Sequence, residues 1–296
     1  MGKIIWLASY PKSGNTWLRI FLANLLSESD RPVDFNQLKD SERFGCIASA
    51  RAIFDREVGV ESSDLTGEEI DRYRPRVYER ISQEIERSGG EAIFMKIHDA
   101  FTRNAWGEPI VSKVATQGVI YLIRNPLDVA VSYAHHMACP LEKAANILCN
   151  SDYTLENTEG LSIQLRQRLL SWREHVISWV DEPDLPVHVM RYEDMQRRPL
   201  QAFRGAVLFA GLPDRPERLQ LALDHSSFEQ LQARECEKGF VEKPLKAKAF
   251  FRQGKIGSWR GVLSETQVEM IVRAHGDVMR RFGYLTDGDP SVGCRV

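Results

Sequence analysis

Three stretches of this sequence pair cations with hydroxyls, the first and third of them beside glycines, and a fourth carries a histidine. The first reads Ser9-Tyr10-Pro11-Lys12-Ser13-Gly14-Asn15-Thr16-Trp17 and opens an amphipathic run. A helix N-terminus there offers unpaired N–H groups and the positive end of the helix dipole, and Lys12, Ser13 and Thr16 add donors, so the place suits a phosphate. In the second, Tyr121-Leu122-Ile123-Arg124-Asn125-Pro126-Leu127-Asp128-Val129-Ala130-Val131-Ser132-Tyr133, a guanidinium is followed by a hydroxyl about two helical turns on, a pair suited to another phosphate. The third, Arg252-Gln253-Gly254-Lys255-Ile256-Gly257-Ser258-Trp259-Arg260, combines cations with glycines that permit close backbone approach. The fourth, Ile93-Phe94-Met95-Lys96-Ile97-His98-Asp99, carries an imidazole that titrates near working pH and can act as a base. Structural readings compete: an Arg124 ion pair to Asp128, a solvated basic loop at 252–260, and a histidine that merely ends a strand.

Positioning these groups requires strands that deliver them to one edge. Apolar runs bounded by turn residues at 3–8, 92–97, 118–123 and 187–191 predict strands, and helical periodicity over 15–28, 67–87, 126–138, 161–180 and 264–282 predicts helices. Strands alternating with helices imply an α/β class with a central, mostly parallel sheet. Val119-Ile120-Tyr121-Leu122-Ile123 is continuously apolar, as a strand covered on both faces requires. Ligands of such sheets collect at the strands' carboxyl ends, where Lys12, His98 and Arg124 would all lie. The stretches 29–66 and 235–260 read as irregular. No linker divides the chain, so one domain over 1–296 is expected.

Composition narrows the function. A formal net charge of −2 gives no general attraction for nucleic acid, although a local basic pocket remains compatible with it. Cys46, Cys139, Cys149, Cys236 and Cys294 show neither metal-ligand spacing nor a disulfide framework, and no apolar run reaches the roughly 18 residues of a spanning helix. A soluble cytoplasmic protein, with no membrane partner and no metal, is the expectation.

Residue order separates two kinds of phosphate loop. A nucleotide triphosphatase loop places its lysine after the glycines, just before Ser or Thr, whereas Lys12 precedes Gly14. Residues 9–17 resemble the phosphosulfate loop of the cytosolic-type sulfotransferases, which use 3'-phosphoadenosine 5'-phosphosulfate (PAPS) and release 3'-phosphoadenosine 5'-phosphate (PAP). Residues 121–133 are similar to that family's 3'-phosphate site, with Arg124 and Ser132 at the binding positions. Residues 252–260 resemble its C-terminal loop over the same phosphate, except that Gln253 stands where the family has lysine; Arg252 and the Gly254 backbone carry over, and Lys255 is a candidate replacement. Residues 191–195 and 225–229 resemble the adenine-side segments, so Trp17, Tyr192, Ser226 and Phe228 would enclose the base. Residues 93–99 resemble the family's Lys-Thr-His segment, with Ile97 for threonine, which makes His98 the implied catalytic base.

These similarities, spread over 3–19, 93–99, 118–135, 189–195, 225–229 and 250–260, imply a P-loop-like sulfotransferase fold. They also imply transfer of a sulfuryl group from PAPS to a hydroxyl, or an amine, of a small or medium-sized acceptor. Lys12 would stabilise charge on the leaving oxygen, Lys96 would assist at the departing or transferred group, and Ser132 would hold Lys12 away until an acceptor arrives. The implied donor site comprises Lys12, Ser13, Gly14, Asn15, Thr16, Trp17, Arg124, Ser132, Tyr192, Ser226, Phe228, Arg252, Gln253 and Gly254. Asp99 and His135 are the next candidates for the base. Alternatives are a P-loop kinase-like phosphotransferase, a non-catalytic nucleotide-binding protein, and a membrane-bound carbohydrate sulfotransferase. Acceptor choice falls to 29–66 and 137–165, with Phe44, Met137 and Tyr153 as candidate pocket residues. The family's dimer motif is altered here, Arg260, Ser264, Glu265 and Glu269 standing at its places, with Glu265 for a central valine, which leaves the oligomeric state open.

Overall fold

The computed structural model describes residues 2–41, 43–155 and 163–285; Cys294 and the first two residues of the helix expected over 161–180 lie outside them. The strands are β1 Ile4–Ser9, β2 Ile93–Ile97, β3 Thr116–Ile123, β4 Thr154–Leu155, β5 Gln167–Arg168 and β6 Val187–Arg191. The helices are α1 Asn15–Leu26, α2 Arg51–Val58, α3 Gly67–Arg87, α4 Pro126–Met137, α5 Leu141–Cys149, α6 Trp172–Val180, α7 Tyr192–Arg197, α8 Pro199–Phe209, α9 Pro216–His225, α10 Phe228–Lys238 and α11 Glu265–Arg281. β2, β1, β3 and β6 form, in that order, a parallel sheet, while β4 and β5 pair antiparallel beside it.

Strand periodicity sorts the core into two layers. Ile4, Trp6 and Ala8 join Val119 and Tyr121 under Val176, Trp179 and Ile271, whereas Ile5 and Leu7 join Ile120 and Leu122 under Leu18, Phe21, Phe203 and Val207. Each such side chain contributes about 1.5–3 kcal/mol when buried. This explains the unbroken apolar runs: neither face of β1, nor of β3 from Gly118 to Ile123, meets water.

Helix starts are written locally. Capping boxes open α3 (Thr66 with Glu69), α6 (Ser171 with Glu174) and α11 (Ser264 with Gln267), whereas α1 begins at left-handed Gly14 with no side-chain cap. The expected helix over 161–180 is corrected: α6 starts only at Trp172, and described residues 163–170 are not helical, Leu165 bonding to the Ser49 carbonyl and Leu169 to that of Tyr153. Leu165 and Leu169 have helical spacing but reach the core from non-helical chain. The stretch 29–66 likewise contains α2 and two short 3-10 helices, Phe35–Asp40 and Ser62–Asp64. No helix among the described residues is long and apolar enough to cross a membrane.

Just past β2 the chain is clamped. The buried Asp99 carboxylate accepts two bonds from Arg74, at 2.8 and 2.7 Å, and one from the Arg168 amide, while Trp179 Nε1 donates to the Asp99 carbonyl at 2.9 Å. This fixes the residue that follows His98. Asp99→Ala would leave Arg74 buried without its main partner, so urea unfolding is expected to show a loss of about 3–5 kcal/mol; a loss below ~1 kcal/mol would contradict the clamp.

Candidate active site

β1 lies between β2 and β3, so the carboxyl ends of these strands leave a crevice at the point where the chain leaves the sheet in opposite directions. A cavity of about 640 Å³ occupies it, lined by the turn after β1, by Lys96 and His98, by Arg124, by the inner face of α4, by Tyr192 and Phe228, and by the irregular chain after α10.

The turn after β1 is held in a shape that aims its backbone inward. Lys12 and Gly14 both have left-handed φ, 71° and 104°, and a Cβ on Gly14 would meet Tyr192 at 3.0 Å. The Asn15 amide donates to the Leu7 carbonyl at 2.7 Å and to Ser9 Oγ at 3.2 Å, pinning the start of α1 to β1. Asn15 therefore has only its backbone N–H to give a ligand anion. Ser13 Oγ and Trp17 Nε1 are buried without a partner beside the uncapped helix start. Buried donors are nearly always satisfied, so this cluster calls for an acceptor.

Arg124 ties three segments together. Its Nη1 donates to the Lys12 carbonyl and Nη2 to the Lys255 carbonyl, both at 3.1 Å, and its guanidinium stacks on Tyr192 at 4.1 Å, while Nε is left without a partner. The ion pair to Asp128 is not formed. Asp128 instead accepts from Gly257 N at 2.7 Å, Ser258 Oγ at 3.0 Å and Trp259 N at 3.1 Å, which seats the chain carrying Arg252, Gln253, Gly254 and Lys255. Burial, and then Arg124, hold the Arg252 guanidinium below its ordinary value. Gly254 has φ 60°, and a Cβ there would stand 2.5 Å from the Phe228 ring. Trp17, Tyr192 and Phe228 all line this end of the cavity. Ser226 does not: it is fully buried, and its hydroxyl donates to the Ala222 carbonyl at 2.6 Å, where it closes α9.

At the other end, His98 Nδ1 sits 2.8 Å from the Ser9 carbonyl. That bond assigns the proton to Nδ1 and leaves Nε2 with its lone pair. Burial, then Lys96, push His98 well below its ordinary value, so the ring is neutral. Lys12 Nζ lies 3.3 Å from His136 Nδ1 and 4.2 Å from the centre of the Phe250 ring. Burial, then Lys96 and Arg124, lower Lys12 to about 7, and burial with Lys12 takes His136 to about 3. Among the described residues the hydrogen-bond partner of the Lys12 ammonium is thus His136 and not Ser132, although Ser132 lines the cavity from the same face of α4. The fallback bases are corrected: Asp99 has spent its oxygens on Arg74 and Arg168, and His135 is exposed and outside the cavity wall.

Sequence reading missed His136, Glu242 and Phe250. His136 lies four residues after Ser132, a spacing that shares a helix face and was available as a signal. Glu242 carried none, since its partners Lys96 and Arg19 are remote in sequence. Of the candidate pocket residues, Met137 lines the cavity; Phe44 is stacked on Phe94 in the core, and Tyr153 bonds to the Tyr133 hydroxyl at 3.0 Å from outside the wall.

Residues 109–283 match the family model described as a sulfotransferase domain. The chain belongs to the sulfotransferase family. Similar sulfotransferases include the flavonol 3-sulfotransferase of Flaveria bidentis, 23% identical over 290 residues covering 90% of this chain and 78% of that one. Cytosolic sulfotransferase 1 of Arabidopsis thaliana is 26% identical over 284 residues covering 90% and 77%. The fold is shared with the structure of mouse sulfotransferase SULT7A1 complexed with PAP, at TM-score 0.57 and 19% identity over 96% of this chain and 89% of that one. Retinol dehydratase in a complex with retinol and PAP gives TM-score 0.58 at 19% identity over 95% and 82%. In this sulfotransferase Lys12 is an unusually acidic lysine. Competitive acetylation read by mass spectrometry is expected to place its titration near 7, well below that of an ordinary lysine; titration above ~9.5, close to an ordinary lysine, would contradict the crowding of cations described above.

Proposed function

We propose that this sulfotransferase takes its sulfuryl group from PAPS and delivers it by in-line displacement to a hydroxyl, or an amine, of a small or medium-sized acceptor, the described chain working as one domain. PAPS supplies an activated sulfuryl group and leaves as PAP. The observation that carries the donor assignment is the pair of separated, uncompensated anion sites: the turn after β1 with its unpartnered donors, and Arg124 facing Arg252. Trp17, Tyr192 and Phe228 line the same cavity and offer aromatic faces to a flat base. A nucleotide with phosphates on both sides of its ribose suits two such anion sites with an aromatic wall beside them, and the PAP in the complexes of the two structural relatives supports it.

In this reading Lys12, the loop amides and Thr16 hold the inner phosphates, and Arg124, Ser132, Arg252 and the backbone of Gly254 hold the outer one. Gln253 and the remaining loop residues Ser13, Gly14, Asn15 and Trp17 complete the donor wall. His98 removes the acceptor's proton at Nε2, with Nδ1–H anchored on Ser9. Lys12 donates toward the leaving oxygen as its charge grows, and Lys96 supports the transferring group. Acceptor binding falls to Ile47, Tyr133, Met137, Leu155, Ile163 and Phe250, and the name flavonol 3-sulfotransferase supports a small acceptor. Cytoplasmic placement has the support of the name cytosolic sulfotransferase 1.

PAP is expected to raise the melting temperature where ADP with magnesium does not; the reverse order would favour the phosphotransferase reading. His98→Ala should keep PAP affinity while losing on the order of 100-fold or more in kcat. A variant of undiminished kcat would remove His98 from the chemistry. Because Lys12 is near 7 without an anion and phosphate raises it, PAP binding at pH 8 should take up a proton, seen by calorimetry in buffers of different ionisation enthalpy. The uptake should vanish in Lys12→Met.

A further inference from the structure

Glu242 is the one carboxylate among the described residues that line a cavity otherwise walled with Lys12, Lys96, Arg124, Arg252 and Lys255. A negative charge there opposes any phosphate or sulfate, so its presence needs a reason. One oxygen accepts from Arg19 Nη1 at 2.7 Å and the other lies 3.4 Å from Lys96 Nζ. Arg19 is buried on α1 and also donates to the Phe44 carbonyl at 3.1 Å, so it is a fixed anchor. Lys96, on β2, lies two residues before His98 and shares its face of the sheet. The charged and titratable groups around Lys96 are Arg19 from α1, Lys12 from the turn after β1, His98 beyond β2, His136 from α4 and Glu242 from the chain after α10. All but Glu242 are cationic or neutral. Burial drives Lys96 toward the neutral amine, and Glu242 is the foremost group opposing that. Glu242 also rides on the same irregular chain, between α10 and α11, that delivers Arg252 and Gly254 to the outer phosphate site.

We infer that Glu242 is a positioning residue for Lys96: anchored on Arg19, it holds the Lys96 ammonium toward the transferring sulfuryl group whenever the chain that completes the donor site is seated. The inference rests on the donor reading above. In consequence, seating that chain and charging Lys96 are one event, and a half-assembled donor site lacks the cation that faces the sulfuryl group.

The test compares wild type with Glu242→Gln, which keeps volume and a hydrogen bond to Arg19, and with Glu242→Asp, which keeps the charge. Calorimetry at pH 8 measures PAPS and PAP separately. In Glu242→Gln the preference for PAPS over PAP should fall by about tenfold, and the alkaline limb of kcat should move to lower pH by about one unit. PAP affinity should be unchanged or tighter, which shows that the variant is folded, and Glu242→Asp should restore part of the preference. An unchanged or increased PAPS preference in Glu242→Gln, with a wild-type pH profile, would overturn the inference. Wild type that binds no PAP would overturn the donor reading itself, a result distinguishable because it does not involve the variant.

Discussion

Crowding of like charge at the carboxyl ends of β1, β2 and β3 is the constraint on which the rest of the structure depends. Lys12, Lys96, Arg124 and Arg252 line one cavity, where burial and then Lys96 and Arg124 lower the affinity of Lys12 for a proton, and burial and then Arg124 lower that of Arg252. Unit like charges ~4 Å apart at reduced dielectric repel by on the order of 1–4 kcal/mol. An anion turns that cost into affinity, and the fold must hold the cations in place until one arrives.

Buried carboxylates do the holding, and they do it largely without neutralising the cations. Asp128 spends its oxygens on the amides and hydroxyl of residues 257–259. Glu235 accepts the amides of Phe250 and Phe251, at 2.7 and 2.8 Å, and Glu193 accepts the Asn125 amide and the Tyr284 hydroxyl, each at 3.0 Å. Each carboxylate thereby shapes the wall behind a cation. Glu242 is the exception, since it meets Lys96 and Arg19 directly. The neutral His98, fixed through Nδ1 on Ser9, completes the contrast: burial, and then Lys96, keep its ring unprotonated.

Much of this was legible in the sequence where local rules act. The strands at Ile4–Ser9, Ile93–Ile97, Thr116–Ile123 and Val187–Arg191 follow from apolar runs, and α3, α4 and α11 from periodicity. The residues after β1, at the ends of β2 and β3, and at 252–255 converge because parallel strands deliver their ends to one edge. The non-helical chain over 163–170 was illegible, since Leu165 and Leu169 imitate a helical face and their backbone partners, Ser49 and Tyr153, are set by tertiary structure. Ser226 was misplaced because a hydroxyl at a helix end satisfies itself on the preceding turn. Glu242 and its anchor Arg19 could not be paired in advance, for no local pattern links an irregular chain to a helix more than two hundred residues earlier.

The most direct test of the two-phosphate donor site is calorimetry with PAP and with adenosine 5'-phosphate, ligands that differ only in the ribose 3'-phosphate. Charge-assisted bonds are worth roughly 1.5–3 kcal/mol each, so losing those from Arg124 and Arg252 should weaken binding on the order of 100-fold or more. Arg124→Ala should erase most of that difference. Equal affinities for the two nucleotides in the wild-type protein would contradict the assignment of Arg124 and Arg252 to the outer phosphate.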